Sequence, residues 1–205
     1  MRVSGSHTVV LASGNPGKLA EFERLLAPLD LEIRPQSDWD VPDAVEDGPD
    51  FLDNAMIKAR HAAARSGLPA IADDSGLVVP VLGGEPGVMS ARYAGEHGND
   101  AANNRKLLEK MRSIEGTDRA AYFQCVMVLV TPNDTEAPLI ASAQWWGEIG
   151  QQERGEGGFG YDPLFLVPGT NKTSAQLAAP EKNRLSHRGQ ATRTLLELME
   201  SRYGR

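Results

Sequence analysis

The sequence predicts an α/β fold, a mixed β-sheet covered by helices, and three observations carry that prediction. Short apolar runs bounded by turn residues alternate with amphipathic stretches through the first half of the chain. Two long β-rich runs, Tyr122–Thr131 and Leu139–Ile149, then follow one another across a polar connection, as an antiparallel hairpin does. The last segment, Asn183–Tyr203, returns to helical spacing with Ala191, Leu195, Leu198 and Met199. At 205 residues, a single domain over 1–205 can bury a substantial core, with 1–7 reading as an N-terminal extension.

The elements follow in order. Thr8–Ala12 is a short apolar strand, and the turn Ser13-Gly14-Asn15-Pro16-Gly17-Lys18 leads from it into a helix with Leu19, Phe22, Leu25, Leu26 and Leu29 on one face. A strand near Leu31–Arg34 runs into a Pro/Asp-rich loop ending near Pro49. The next helix has Asp50 as N-cap, Leu52, Met56, Ala59 and Ala63 as its expected core stripe, and Gly67 as its stop. Pro69–Ala72 and Leu77–Leu82 read as two short strands on either side of Asp73-Asp74-Ser75-Gly76. A helix spans about Asn99 to Ile114. Tyr122–Thr131 is apolar on both faces, whereas Leu139–Ile149 alternates with Leu139, Ala141, Ala143, Trp145 and Ile149 inward. After the loop Gly155–Asp162, Pro163–Val167 reads as a strand.

Composition narrows the function classes. Hydrophobic residues make up 40% and charged residues 24%, ordinary for a soluble protein. No apolar run approaches the ~20 residues of a membrane helix, and no signal-peptide core follows Met1, so no membrane partner and a cytoplasmic location are expected. The lone Cys125 lies in an apolar stretch and reads as a buried thiol in a reducing compartment. A net charge of −7 argues against a nucleic-acid partner, yet a small anion can still bind where a few cations or a metal invert the potential locally.

Five motifs could carry chemistry. Ser13–Lys18 aims backbone N–H groups and a cation at phosphates, or is a plain strand-to-helix turn; Gly14 and Gly17 stand too close together for a Walker A loop. In Asp73-Asp74-Ser75-Gly76, two adjacent carboxylates at a strand end repel each other, which a bound cation relieves; an acidic turn facing water is the alternative. Glu46 could supply a second carboxylate, with Asn54 and Lys58 one helical turn apart, or the stretch is an ordinary acidic helix start. Gly157-Gly158-Phe159-Gly160-Tyr161-Asp162-Pro163 could let backbone approach a flat ligand with Phe159 stacked on it, or hold a core aromatic in a turn. Lys182, His187 and Arg188 crowd donors beside a helix start, where arginine, a donor only, suits an oxo group, or they form a solvated basic helix start.

In this order, Ser13-Gly14-Asn15-x-Gly17-Lys18, Glu46 through Asn54-Ala55 and Lys58-Ala59, Ala72-Asp73-Asp74-Ser75-Gly76-Leu77, Gly158–Pro163 and Ser186-His187-Arg188-Gly189 closely resemble the inosine triphosphate pyrophosphatase family, from Val9 to about Leu196. The resemblance implies an elongated domain with a long central mixed sheet, two lobes with a cleft between them, and a homodimer. It implies hydrolysis of dITP, ITP and XTP to monophosphate and pyrophosphate with magnesium (Mg2+), a purine nucleoside triphosphate being the partner molecule. By position, Ser13, Gly14, Asn15, Pro16, Gly17, Lys18 and Lys58 would meet the triphosphate, Asp74 would be the catalytic carboxylate and a metal ligand with Glu46, and Ser75 would touch the nucleotide. Phe159, Gly160, Tyr161, Asp162, Lys182, His187 and Arg188 would form the base and sugar pocket. Asp53 stands where the family commonly has glutamate, which shortens its reach. Two alternatives remain: a septum-related pyrophosphatase, whose first loop reads Ser-Pro-Arg-Arg where this chain has Asn15-Pro16-Gly17-Lys18, and a non-catalytic nucleotide-binding regulator.

Overall fold

The computed structural model describes residues 8–13, 19, 22 and 31–203. Strand β1 (Thr8–Leu11) is buried at every position, as its apolar run requires. It pairs in parallel with β2 (Glu32–Pro35) and with β3 (Ala70–Val78). Of the helix expected between β1 and β2, only Leu19 and Phe22 are described; both are helical, and Phe22 is buried. The turn Gly14–Lys18 lies outside the described residues.

Helix α1 (Phe51–Ser66) begins and ends as its sequence signals. The Asp50 side chain accepts from the Asp53 N–H at 2.9 Å, and Gly67 closes the helix at φ 71° with its N–H on Ala63 O. Its buried face differs from the expected stripe. Ala55, Ala59, Ala62 and Ala63 pack among Val10, Ala70, Ala72, Val126 and Val128, while Leu52 is 38% exposed. Alanines let the helix lie close to the sheet, and the rotation that achieves this turns Leu52 outward and buries Asn54.

The expected break at Asp73–Gly76 is absent: Ala70–Val78 is one continuous strand, so both aspartates sit mid-strand. Buried Ala72 and Leu77 bracket the motif and hold it in line. Helix α2 (Asp100–Lys110) is capped by Asn99, whose side chain accepts from the Ala102 N–H at 3.1 Å. Strands β4 (Ala120–Val130) and β5 (Leu139–Ile149) follow, β5 alternating in burial as predicted, and the two-residue β6 (Phe165–Leu166) pairs antiparallel to it. The sheet is thus mixed and six-stranded, in the order β2-β1-β3-β4-β5-β6. Trp145 is core and Trp146 is half-exposed.

The final helix is also corrected. It is two helices, α3 (Ala179–Leu185) and α4 (His187–Tyr203), separated by Ser186 in extended conformation. Ser186 Oγ accepts from the Gly189 N–H at 3.1 Å and so caps α4. A Cβ on Gly189 would stand 1.7 Å from Asn183 O, so only glycine lets the chain turn here.

The residues divide into two compact units, each with its own core. The first comprises 1–74, 126–142 and 191–205; the second comprises 75–125 and 143–190. The second is built around Leu77, Leu107, Met111, Phe123, Trp145, Leu164 and Phe165. No helix among the described residues is long and apolar enough to cross a membrane.

Candidate active site

In the first unit, α1, β3 and the loop before α1 converge on Asp74. Asn54 Nδ2 donates to Asp74 Oδ2 at 3.2 Å, and Asn54 Oδ1 accepts from the Gly48 N–H at 2.9 Å. That second bond fixes which end of the amide faces the carboxylate. Gly48 must be small, because a Cβ there would stand 2.8 Å from Asn54 Oδ1. One helical turn on, Lys58 Nζ lies 3.1 Å from Glu46 Oε2 and 3.5 Å from Asp74 Oδ1.

The charges do not balance. Burial pulls the Lys58 ammonium down, but the summed attraction of Asp74, Asp73 and Glu46, with the bond to Glu46, outweighs it and leaves the proton held more tightly than usual. Asp74 is raised above the ordinary carboxylate range, first by burial and then by Glu46 and Asp73, against the opposing pull of Lys58 and Asn54. An ion-paired aspartate is normally lowered; here three carboxylates share one ammonium, and their repulsion adds to desolvation. Among the described residues, no three His, Cys, Asp or Glu side chains converge as a metal cage, so Glu46 and Asp74 form an open pair.

Ser13 ends β1. Leu11 is level with Ile71 in the parallel pairing, and Ala12 N donates to Ile71 O at 2.8 Å, so the chain leaves β1 as β3 reaches Asp73. Asn15 and Lys18 lie outside the described residues, and Asp53 is exposed at the start of α1.

In the second unit, the loop at 157–162 presents Phe159 with its side chain 59% exposed. Lys182 Nζ lies 5.1 Å and Arg188 Cζ 5.5 Å from its ring centroid, both within cation–π reach. Asp162 is buried and organises the loop: its Oδ2 accepts from the Phe159 N–H at 2.8 Å and pairs with Lys182, and its Oδ1 accepts from Ser174 Oγ at 2.8 Å. Gly158 has φ 77°, and a Cβ there would collide with Asp162 Oδ2. Tyr161 points inward, its hydroxyl donating to Ser90 O at 2.9 Å. Arg188 Nη2 donates to Ser75 Oγ at 3.2 Å. The buried His187 ring stacks on Phe123 at 4.8 Å and 11°, within the aromatic cluster of Phe123, Trp145 and Phe165.

The structure therefore gathers Glu46, Lys58 and Asp74 in one unit, and Ser75, Phe159, Asp162, Lys182 and Arg188 in the other. Gly160 and Tyr161 serve the loop's conformation, and His187 faces the core. Several supporting residues went unrecognised in the sequence. Asp100 and Asn104 of α2 hold the two polar groups of Gly160, at 2.6 Å and 3.1 Å. For Asn104 a signal was present: it stands with Asn103 at helical spacing from Leu107 and Met111, where a buried helix face calls for apolar residues. Ser174 and Phe123 carried no local signal.

A sequence profile of the Ham1 family matches residues 9–198. A dITP/XTP pyrophosphatase of Thioalkalivibrio sulfidiphilus is 52% identical over 194 residues, covering 95% of this chain and 99% of that protein. A dITP/XTP pyrophosphatase of Acinetobacter baylyi is 52% identical over 199 residues, covering 95% of each. The solved structure of a HAM1 protein from Coxiella burnetii matches with a TM-score of 0.90 at 47% identity, covering 95% of this chain and 98% of that one.

Proposed function

The chain belongs to the Ham1 family and is a nucleoside triphosphate pyrophosphohydrolase of the dITP/XTP class, as its motifs led us to expect, and we propose how its own residues divide the work. The observation that carries the proposal is the pair of carboxylates, Glu46 and Asp74, drawn together on one ammonium with negative charge in excess. Magnesium suits such a pair, since it takes one or two carboxylates and fills its shell with water and phosphate oxygens. When bound, magnesium neutralises phosphate charge and polarises the phosphoryl oxygens.

Asp74 is the base. A carboxylate whose proton affinity is raised accepts the proton of an attacking water more readily than an ordinary one. Asn54 holds Oδ2 in place, so the acceptor does not rotate away. The water oxygen bonds to the α-phosphorus, the α–β bridging P–O bond breaks, and pyrophosphate leaves with the electron pair. Lys58 supplies positive charge beside the carboxylates, and Ser13 with Asn15 and Lys18 receives the phosphate chain. Glu46 assists the metal.

The purine is assigned to the second cluster, with Phe159 as stacking surface and Arg188 and Lys182 as donors toward O6. Donors suit the oxo group of hypoxanthine or xanthine; facing the amine of ATP they lose their partner, at about 1–3 kcal/mol for each buried donor. His187 helps by fixing the start of α4 against Phe123. A homodimer in the cytoplasm completes the proposal, supported by the buried Cys125, the one cysteine of the chain, and by the outward-facing Trp146, its ring tilted against Tyr122.

Incubation with ITP and magnesium tests this directly. Pyrophosphate is the expected product, with ATP turned over far more slowly, and Arg188→Ala narrows the ITP-to-ATP ratio by about tenfold or more. Release of orthophosphate from ITP would remove the assigned reaction, and an undiminished ITP preference in Arg188→Ala would remove the role of Arg188.

A further inference from the structure

An aromatic ring offered to a ligand is only as well placed as the backbone beneath it, and Phe159, at 59% exposed, has little packing of its own. Its own N–H and C=O are held by Asp162, and the next residue is held as well, from α2. Gly160 N–H donates to Asp100 Oδ2 at 2.6 Å, and Gly160 C=O accepts from Asn104 Nδ2 at 3.1 Å. Both polar groups of one residue are thus pinned by two side chains spaced i, i+4 on α2. Gly160 itself lies at φ 60°, in the left-handed region.

The helix that does this is firmly seated. Leu107 and Met111 are fully buried, and Asn103 spans to the turn at 90–94, accepting from Ala94 N–H at 2.7 Å and donating to Ala91 O at 3.3 Å. Asn104 is 3% exposed, and its Oδ1 is buried with no hydrogen-bond partner among the described residues. A half-satisfied buried amide costs stability relative to an apolar side chain of the same shape. Such a departure from an apolar buried face is the kind of local inconsistency that functional sites carry.

We propose that Asn104, with Asp100, is a positioning residue that fixes the Phe159 platform for the purine base, acting on affinity for the base and not on bond cleavage. The proposal rests on the reading that Phe159 stacks on the base. It makes Asn104 dispensable for folding and needed for substrate recognition, the reverse of a structural asparagine.

The test is a double-mutant cycle on ITP hydrolysis with magnesium. Phe159→Ala raises KM by about fivefold or more, as loss of one base–aromatic stack does. Asn104→Leu raises KM by about threefold or more with kcat within about twofold, while Tm falls by no more than about 3 °C; in the Phe159→Ala background it adds nothing further. Asp100→Ala, at a half-buried position, gives the same pattern and decides the matter should the leucine variant fold poorly. An unchanged KM in Asn104→Leu and Asp100→Ala beside a raised KM in Phe159→Ala overturns the positioning role alone. Multiplying effects in the double variant, or a large fall in Tm in Asp100→Ala as well as in Asn104→Leu, overturn it in favour of a structural role. An unchanged KM in Phe159→Ala removes the stacking surface and the proposal together.

Discussion

Asp74→Asn is expected to lower kcat by at least about 10²-fold, equivalent to roughly 2.7 kcal/mol of barrier, with little change in Tm. The two halves of that expectation have one cause. Asp74 is held by Asn54 and lies 3.5 Å from Lys58, but Glu46 and Asp73 repel its charge and burial penalises it. An uncharged amide of the same shape relieves that repulsion, while Lys58 keeps Glu46 as partner. The fold therefore loses nothing large, and the reaction loses the group we propose as its base. Steady-state turnover of ITP read beside a thermal melt checks both. Turnover within threefold of wild type rejects Asp74 as the base; a collapse in Tm makes it a structural residue first.

The largest expected stability effect lies elsewhere, at Arg119. This guanidinium is buried ahead of β4, no carboxylate among the described residues forms an ion pair with it, and it donates to four main-chain carbonyls. Nε meets Ile149 O at 2.6 Å, Nη1 meets Met111 O at 2.9 Å and Ile114 O at 2.8 Å, and Nη2 meets Gly150 O at 2.7 Å. One planar fork thereby joins the end of α2, the turn after it and the end of β5. Arg119→Met keeps the stem and deletes every donor, leaving several inward carbonyls unpaired. The expected cost is about 3 kcal/mol or more, a fall in Tm of roughly 6–12 °C for a chain of this size. Arg119→Lys recovers part of it, since one ammonium cannot span all four oxygens. Denaturant unfolding of the three proteins decides; a loss below about 1 kcal/mol for the methionine variant contradicts the joint.

Local signals were legible in the sequence more readily than the framework that packs around them. Asp50 and Gly67 announced the ends of α1 because capping is local chemistry. The inward face of α1 departs from its apolar pattern at Leu52, because the choice between alanines and leucine is made by the sheet it packs on. Asp73-Asp74-Ser75-Gly76 has the composition of a turn, and only pairing within the sheet keeps it a strand. The break at Ser186 was legible in principle, since serine followed three residues later by a glycine whose N–H it caps is a helix start. Arg119 and Ser174 could not be read: the acceptors of Arg119 are main-chain carbonyls 5 to 31 residues away, which leave no mark on a sequence, and the partner of Ser174 is the Asp162 carboxylate 12 residues back. Lys58, by contrast, was found by its spacing from Asn54 and is held where that spacing puts it, against Glu46 and Asp74.

The account turns on where water attacks. Hydrolysis of ITP with magnesium in 18O-enriched water, followed by mass analysis of both products, reports this directly. Attack at the α-phosphorus places the label in the inosine monophosphate and leaves the pyrophosphate unlabelled. Label in the pyrophosphate, or labelled orthophosphate, contradicts the reaction assigned to Asp74.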